Sequence, residues 1–253
     1  MTAFTESLIV LGIILAAALL GILAGMVLPE HHRGDNTRSH FLATISVVAT
    51  LTALVLGLGM TTANSTRSAM IQDVALLSSN IVRLDGLLRH YGPEAAAAHA
   101  SLVQYAVHKR EDLFPQALGA RANLANPATT ALFDELQQRL LDLTPHNDAQ
   151  RWRQSQALEI SNQIAVARWA IAEQGHAAVP QGVIVVVTFW LAILFGTYGL
   201  FTPRNITAIV ALILCVVAVA AAILLILEAR APFTGLIRIG AGSLVEAIDT
   251  VER

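Results

Sequence analysis

The stretch HFLATISVVATLTALVLGLGMTTANSTRSAMIQDVALLSSNIVRLDGLLRHYG, from His40 to Gly92, decides how this chain is organised. Its first part is an uncharged apolar run and its second part carries charges and amides, yet no proline interrupts it. Proline is the residue that breaks helices most strongly. The stretch therefore predicts one continuous helix of about 50 residues that begins in a lipid bilayer and continues into water.

The rest of the chain has the composition of a membrane protein. Of its 253 residues, 55% are hydrophobic and 13% are charged, and the mean hydropathy is +0.61. A helix needs roughly 20 apolar residues to cross a bilayer. Four runs without Asp, Glu, Lys or Arg meet this length: residues 7–28, 41–63, 182–201 and 205–227. We predict four transmembrane helices in an all-α fold.

The spans divide the chain into two transmembrane hairpins and a helical insert. We expect hairpins at residues 1–63 and 182–228, a soluble helical bundle at 64–181 that continues the second span, and an amphipathic tail at 229–253. Met1 to Glu6 has no basic residue, so the first span does not resemble a signal peptide. Cys215 is the only cysteine, which excludes a disulfide within the chain.

The insert is predicted to be helical throughout. A heptad seam follows the second span at Met70, Val74, Leu77, Ile81, Leu84, Leu88 and Tyr91. Gly92 and Pro93 should end this helix and start the next one. The Thr144-Pro145 pair looks like the cap and first turn of the last soluble helix. The seam could be covered by another subunit or by soluble helices of the same chain.

Small or polar residues occupy one face of the second span for about six turns. They are Ser46, Thr50, Ala53, Gly57, Thr61, Asn64 and Ser68. Such a face can let helices approach closely in lipid, or it can line a narrow ion path around a symmetry axis. The first span has a shorter pattern of the same kind, Ala17, Gly21 and Gly25, which we interpret as a packing face.

Charged residues just beyond the second span are candidates for a vestibule. Arg67 and Asp73 could form charged rings in an oligomer, or they could anchor the helix at the interface. His31, His32 and His40 crowd one loop, but their spacing matches no metal site, and we expect a solvated loop without a metal. No catalytic or cofactor motif is recognisable, so we expect neither an enzyme nor a cofactor. A net charge of −2 does not suggest nucleic acid.

Three short motifs resemble the bestrophin-like proteins of bacterial membranes. They are ALVLGL (residues 53–58), LLRHYGPEA (residues 87–95) and EARAPFTG (residues 228–235), in the order and spacing of that family. The residues we assign structural roles in these motifs are Tyr91, Gly92, Glu228, Pro232, Phe233 and Gly235. Bestrophins are pentameric anion channels whose second helix lines the pore and whose helical portion is cytosolic. The resemblance implies the same arrangement here.

This sequence also departs from that family. The bulky ring that narrows the bestrophin pore is missing, because the second span has only Phe41 as an aromatic residue, and no acidic calcium-binding cluster is recognisable. The loop residues Arg33, Arg38 and Arg204 favour cytoplasmic loops, which is opposite to a cytosolic bundle, so the orientation stays open.

Two functional hypotheses follow. The first is a homo-oligomeric ion channel of the bacterial inner membrane, with the second span lining the pore; the resemblance favours a pentamer and anions, although a hydroxyl-lined face suits cations equally well. The second is a membrane sensor or scaffold that conducts nothing and signals through the helical bundle. A transporter is a weaker third possibility, because the spans lack interrupted helices and buried charges.

Overall fold

The computed structural model describes residues 3–27, 35–115, 122–176, 181–203, 205–229 and 242–251. Its regular elements are all helical over these residues. They are α1 (Ala3–Val27), α2 (Asp35–Tyr91), a short 3-10 turn (Pro93–Ala95), α3 (Ala96–Leu113), α4 (Pro127–Leu141), α5 (Asp148–His176), α6 (Gln181–Phe201), α7 (Ile206–Ala229) and α8 (Gly242–Val251). The predicted all-α class is confirmed.

The four predicted spans are all present as helices. Three of them occupy Phe4–Val27, Gly182–Phe201 and Ile206–Glu228, and the fourth is the apolar part of the helix that runs from Ser39 to Tyr91. The stretch from His40 to Tyr91 thus lies within one uninterrupted helix, α2, which has 57 residues. The chain divides into two compact units, residues 1–65 with 178–231 and residues 66–177 with 232–253.

The first unit is built around α1, which packs against α6 and α7. Glycines bring α1 and α6 into direct backbone contact. A Cβ atom added at Gly21 would collide with the carbonyl of Gly196, and one added at Gly25 would lie 2.6 Å from the carbonyl oxygen of Leu200. In lipid, such close packing replaces the hydrophobic effect as the force that joins helices. The interpretation of Ala17, Gly21 and Gly25 as a packing face is confirmed.

The second unit is a helical bundle with its own core. The heptad residues of α2 form one side of this core, and each of the seven is at most 4% exposed. Residues of α3, α4 and α5 cover them, among them Leu102, Tyr105, Phe133 and Ile164. The seam is therefore satisfied within one chain, which was one of the two alternatives.

Local signals place the ends of the soluble helices. Gly92 has a φ of 127°, a conformation that favours glycine, and it ends α2. Asn126 accepts a hydrogen bond from the amide of Ala128 at the start of α4. The expected cap at Thr144-Pro145 is wrong, because α5 begins at Asp148. There the Asn147 side chain accepts from the amide of Gln150, so an amide side chain satisfies the first turn.

The C-terminal helix α8 belongs to the second unit. Its apolar side, Leu244, Ala247, Ile248 and Val251, is buried. Three of these residues, all but Ala247, are part of the same core as the heptad seam. A ten-residue helix is marginal alone, so α8 depends on this packing.

Candidate functional site

The small and polar face of α2 is uncovered. All seven of its predicted members are exposed: Ser46, Thr50, Ala53, Gly57, Thr61, Asn64 and Ser68. A Cβ atom added at Gly57 would meet nothing within 4 Å, whereas one added at Gly21 of α1 would meet backbone. The two small-residue faces therefore differ in kind. The face on α1 packs helices of one chain together, and the face on α2 does not.

Three hydroxyl groups of this face donate hydrogen bonds to their own helix. Ser46 donates to the carbonyl of Ala43 at 2.6 Å, Thr50 to that of Ser46 at 2.9 Å, and Thr61 to that of Gly57 at 3.0 Å. A hydroxyl has one donor and two acceptor lone pairs. Because these three donors are used within the helix, their oxygens offer acceptor lone pairs to whatever occupies the space beside it.

Large apolar residues form a second exposed face of α2. They are Val47, Leu51, Leu54 and Leu58, each 45–60% exposed. At 100° per residue this face lies about 90° around the helix from the small and polar face. Long aliphatic side chains suit contact with lipid or with another apolar helix, and the small and polar residues suit water and ions.

Only the remaining side of α2 packs within the first unit. Ile45, Thr52 and Ala63 are buried there, and Val55, Leu56 and Gly59 border a narrow apolar crevice with α6 and α7. The most apolar 18-residue window of α2 is 11% buried, against 28–33% for the other three spans. The helix with the most polar membrane face is thus the one that the chain covers least.

The two predicted vestibule residues lie away from the small and polar face. At 100° per residue, Arg67 is about 80° and Asp73 about 160° around α2 from its centre. A carboxylate oxygen of Asp73 accepts from the Gln174 amide of α5 at 2.6 Å, inside the bundle. The Nε atom of Arg67 is buried and has no hydrogen-bond partner among the described residues. Their role as charged rings stays a prediction.

Two family-motif residues, Tyr91 and Gly92, lie at the end of α2, and their structural role stays a prediction. Tyr91 is 4% exposed, and its carbonyl accepts from the Gln150 side chain of α5 at 3.1 Å. Burial, together with the nearby Glu94 carboxylate, raises the pKa of the Tyr91 phenol. Glu228 at the end of α7 is 5% exposed. Pro232, Phe233 and Gly235 lie outside the described residues, as do His31 and His32.

The third histidine, His40, lies at the start of the apolar part of α2, where its backbone carbonyl accepts a hydrogen bond from the Thr44 hydroxyl. No group of three or more His, Cys, Asp or Glu side chains is placed to hold a metal ion within the described part of the chain. The expectation that the histidine loop binds no metal stays a prediction.

Sequence reasoning missed a charged cluster that holds α8. The buried carboxylate of Asp85 contacts Nε2 of His99 at 2.7 Å and Nε of Arg89 at 2.9 to 3.0 Å. Nη2 of Arg89 then donates to the carbonyl of Val251 at 2.9 Å and to that of Thr250 at 3.3 Å. The spacing of Asp85 and Arg89 on α2 indicates an ion pair. Nothing in the sequence connects that pair to residues 160 positions away.

A second missed feature is a largely apolar cavity with two cationic side chains, in the bundle between α3, α4 and α5. It brings Lys109 together with Arg168 and Trp169. Lys109 and Arg168 lie on separate helices, and nothing in the sequence indicates that their side chains border the same cavity.

The described residues thus define a class: an all-helical membrane protein with four candidate spans, whose second span leaves its small and polar face exposed. Comparison with family models then identifies the family. Residues 12–244 match the bestrophin-like domain, and the chain belongs to the bestrophin-like family.

Solved structures show the same fold. A point variant of a bacterial bestrophin homologue from Klebsiella pneumoniae superposes with a TM-score of 0.69 at 13% identity, covering 96% of each chain. A second variant of it gives a TM-score of 0.67 over 95% of this chain and 98% of the other, at 13% identity. A further structure, described as a membrane protein, gives 0.67 at 14% identity over 95% and 94%. A search of the curated proteins finds no match.

Proposed function

We propose that this chain forms a homo-oligomeric ion channel in the bacterial cytoplasmic membrane, with the small and polar face of α2 lining the pore. One observation carries the proposal. All seven residues of that face are exposed on the single chain, while α2 packs through its opposite side. A face of hydroxyls, backbone and an amide is stabilised by contact with water or polar groups. Copies of α2 arranged around an axis would turn this face towards a water-filled pore.

The family resemblance supports the oligomer, and a pentamer is the number it implies. The heptad seam gives no support for assembly, because the chain covers its own seam. Contacts between subunits must therefore come from other surfaces. The exposed apolar face of α2 with Leu51, Leu54 and Leu58 is one such surface.

Anion selectivity is the second part of the proposal, and it is supported by the bestrophin resemblance alone. The orientation of the hydroxyls favours cations instead, because acceptor lone pairs point away from the helix. A reversal potential measured across a bilayer under a potassium chloride gradient separates these two outcomes by its sign.

Flux from liposomes tests the pore. Gly57→Trp places an indole in open space on the proposed pore face, so we expect at least about a tenfold loss of ion flux with unchanged folding. Leu214→Trp is the control, because Leu214 is 63% exposed on α7 and belongs to neither exposed face of α2. Equal flux through both variants contradicts the pore assignment.

The alternative function is a sensor or scaffold without conduction. Its support is the bundle itself, which contains a cavity bordered by Lys109 and Arg168. Absence of flux under any ionic gradient, together with a monomeric or dimeric particle, favours this alternative and excludes the channel.

A further inference from the structure

The cavity of the bundle that Lys109 and Arg168 border is the feature that neither the fold nor the proposed pore explains. It has a volume of about 370 Å³ and lies between α3, α4 and α5. Lys109 comes from α3, Thr130 and Asp134 from α4, and Arg168 and Trp169 from α5. That volume is large enough for a small metabolite.

Lys109 places a buried cation in this cavity. The residue is 3% exposed, and its ammonium donates to the carbonyl of Leu124 at 3.1 Å. An ammonium has three donors, and this bond uses one of them. Burial lowers the pKa of Lys109 to about 8; the carboxylate of Asp112 opposes this shift, and the charge of Arg168 adds to it.

Arg168 contributes the second cation. Its guanidinium lies over the Phe133 ring at 4.6 Å, and Nη2 donates to the Thr130 hydroxyl at 3.4 Å. Nη1 is buried and has no hydrogen-bond partner among the described residues. A buried donor without a partner costs roughly 1 to 3 kcal/mol. The Phe133 ring supports one face of the guanidinium, and Nη1 keeps an unused donor beside the cavity that Arg168 borders.

The nearby carboxylates do not neutralise these cations directly. Asp112 accepts from the Asn126 amide at 2.7 Å and from the Thr129 hydroxyl at 2.5 Å, so each of its oxygens has a neutral donor. Asp134 is exposed. Among the described residues, no carboxylate oxygen lies within 4 Å of the Lys109 or Arg168 nitrogens.

We propose that this cavity is a binding site for a small metabolite with a carboxylate or phosphate group, which Arg168 and Lys109 hold as an oxyanion. Arg168 supplies planar, directional donors, and Lys109 supplies a compact charge. The exposed indole of Trp169 borders the cavity and covers the remainder of the ligand. This site lies wholly within the bundle and does not depend on the channel proposal.

The test uses the intact protein in detergent, with two readouts. Sodium phosphate and sodium succinate are the probes, and sodium chloride at equal ionic strength is the control. We expect one probe to raise the melting temperature by several degrees and to change the tryptophan fluorescence at millimolar concentration. Which probe does so identifies the group as phosphate or carboxylate.

Variants assign the binding to this cavity. Arg168→Met and Lys109→Met should each weaken binding by about tenfold or more, because each removes a charged hydrogen-bond donor. Arg151→Met is the matched control, because that arginine is exposed on α5 and pairs only with Asp148 among the described residues. Trp169→Phe should abolish the fluorescence change and keep the thermal shift.

Three outcomes overturn the proposal. Neither probe changes the wild-type protein more than chloride does, or Arg168→Met responds as the wild type does, or the fluorescence change survives in Trp169→Phe. The first and third do not require the charge variants to fold. None of the three measurements depends on ion flux. The outcome of this test is therefore independent of the outcome of the channel test.

Discussion

At the scale of single residues, Lys109 makes stability depend on pH. Its pKa is about 8 in the folded chain and 10.5 when unperturbed. Below pH 8 the folded protein bears the full cost of a buried charge, and this cost is relieved as the pH rises from 8 towards 10.5. Lys109→Met removes the cost at every pH.

We therefore expect Lys109→Met to be stabilised relative to the wild type at pH 7, and expect this advantage to shrink by roughly 2 to 3 kcal/mol at pH 10. Thermal melting in detergent at both pH values measures it. The titration of all other groups cancels in the comparison. A constant difference between the two proteins across this range contradicts the burial argument.

Two glycines show how the same residue type serves opposite purposes. Gly21 of α1 has backbone of α6 where a side chain would be, so Gly21→Leu should destabilise the first unit by about 3 kcal/mol or more. Gly12→Leu is the control, because nothing lies within 4 Å of its added Cβ. The yield and melting temperature of the purified variants measure the difference. Equal behaviour of the two variants contradicts the packing role.

At the scale of the elements, Arg89 of α2 adds hydrogen bonds to the apolar packing that holds α8. Arg89 donates to two carbonyls in the last turn of α8, where a helix favours a positive charge. Arg89→Ala should cost about 1 to 2 kcal/mol locally and increase amide hydrogen exchange in residues 242–251. Arg151→Ala should leave that exchange unchanged. Unaltered exchange in Arg89→Ala shows that the apolar face alone holds the helix.

The helix α2 was predictable from sequence because both of its patterns are local. Helical periodicity is enough to reveal the face from Ser46 to Ser68 and the seam from Met70 to Tyr91. Periodicity does not reveal what covers a face. The seam is covered by α3, α4 and α5, and this depends on how the helices of the insert pack.

The cavity and the Asp85 cluster were not predictable, because both depend on how the helices pack against one another. Lys109 and Arg168 belong to helices that each have an ordinary apolar stripe, and only tertiary packing brings the two cations together. The start of α5 at Asp148 was not predicted, because Thr144 and Asn147 are both possible N-cap residues and the helix uses Asn147. Turn chemistry of this kind has several local solutions.

At the scale of the whole molecule, the channel proposal predicts where α2 lies in an assembly. Imaging of the purified particle should show rotational symmetry, with the face of Thr50, Gly57 and Thr61 nearest the axis. Cysteines provide a second measurement. With Cys215 replaced by serine, Gly57→Cys should be linked between subunits by oxidation, and Leu20→Cys on α1, where Leu20 is 65% exposed, much less. A symmetric particle with α2 at its rim contradicts the proposal.

The contact between α1 and α6 also sets a condition on biogenesis. The ribosome makes α1 first and makes α6 only after the whole helical insert, at about 5 to 20 residues per second. During roughly ten seconds, the glycines of α1 lie in the membrane before the helix that they contact, α6, has been made. A newly made chain thus passes through a stage in which its first span is inserted but unassembled, and quality-control proteases of the membrane can act on it then.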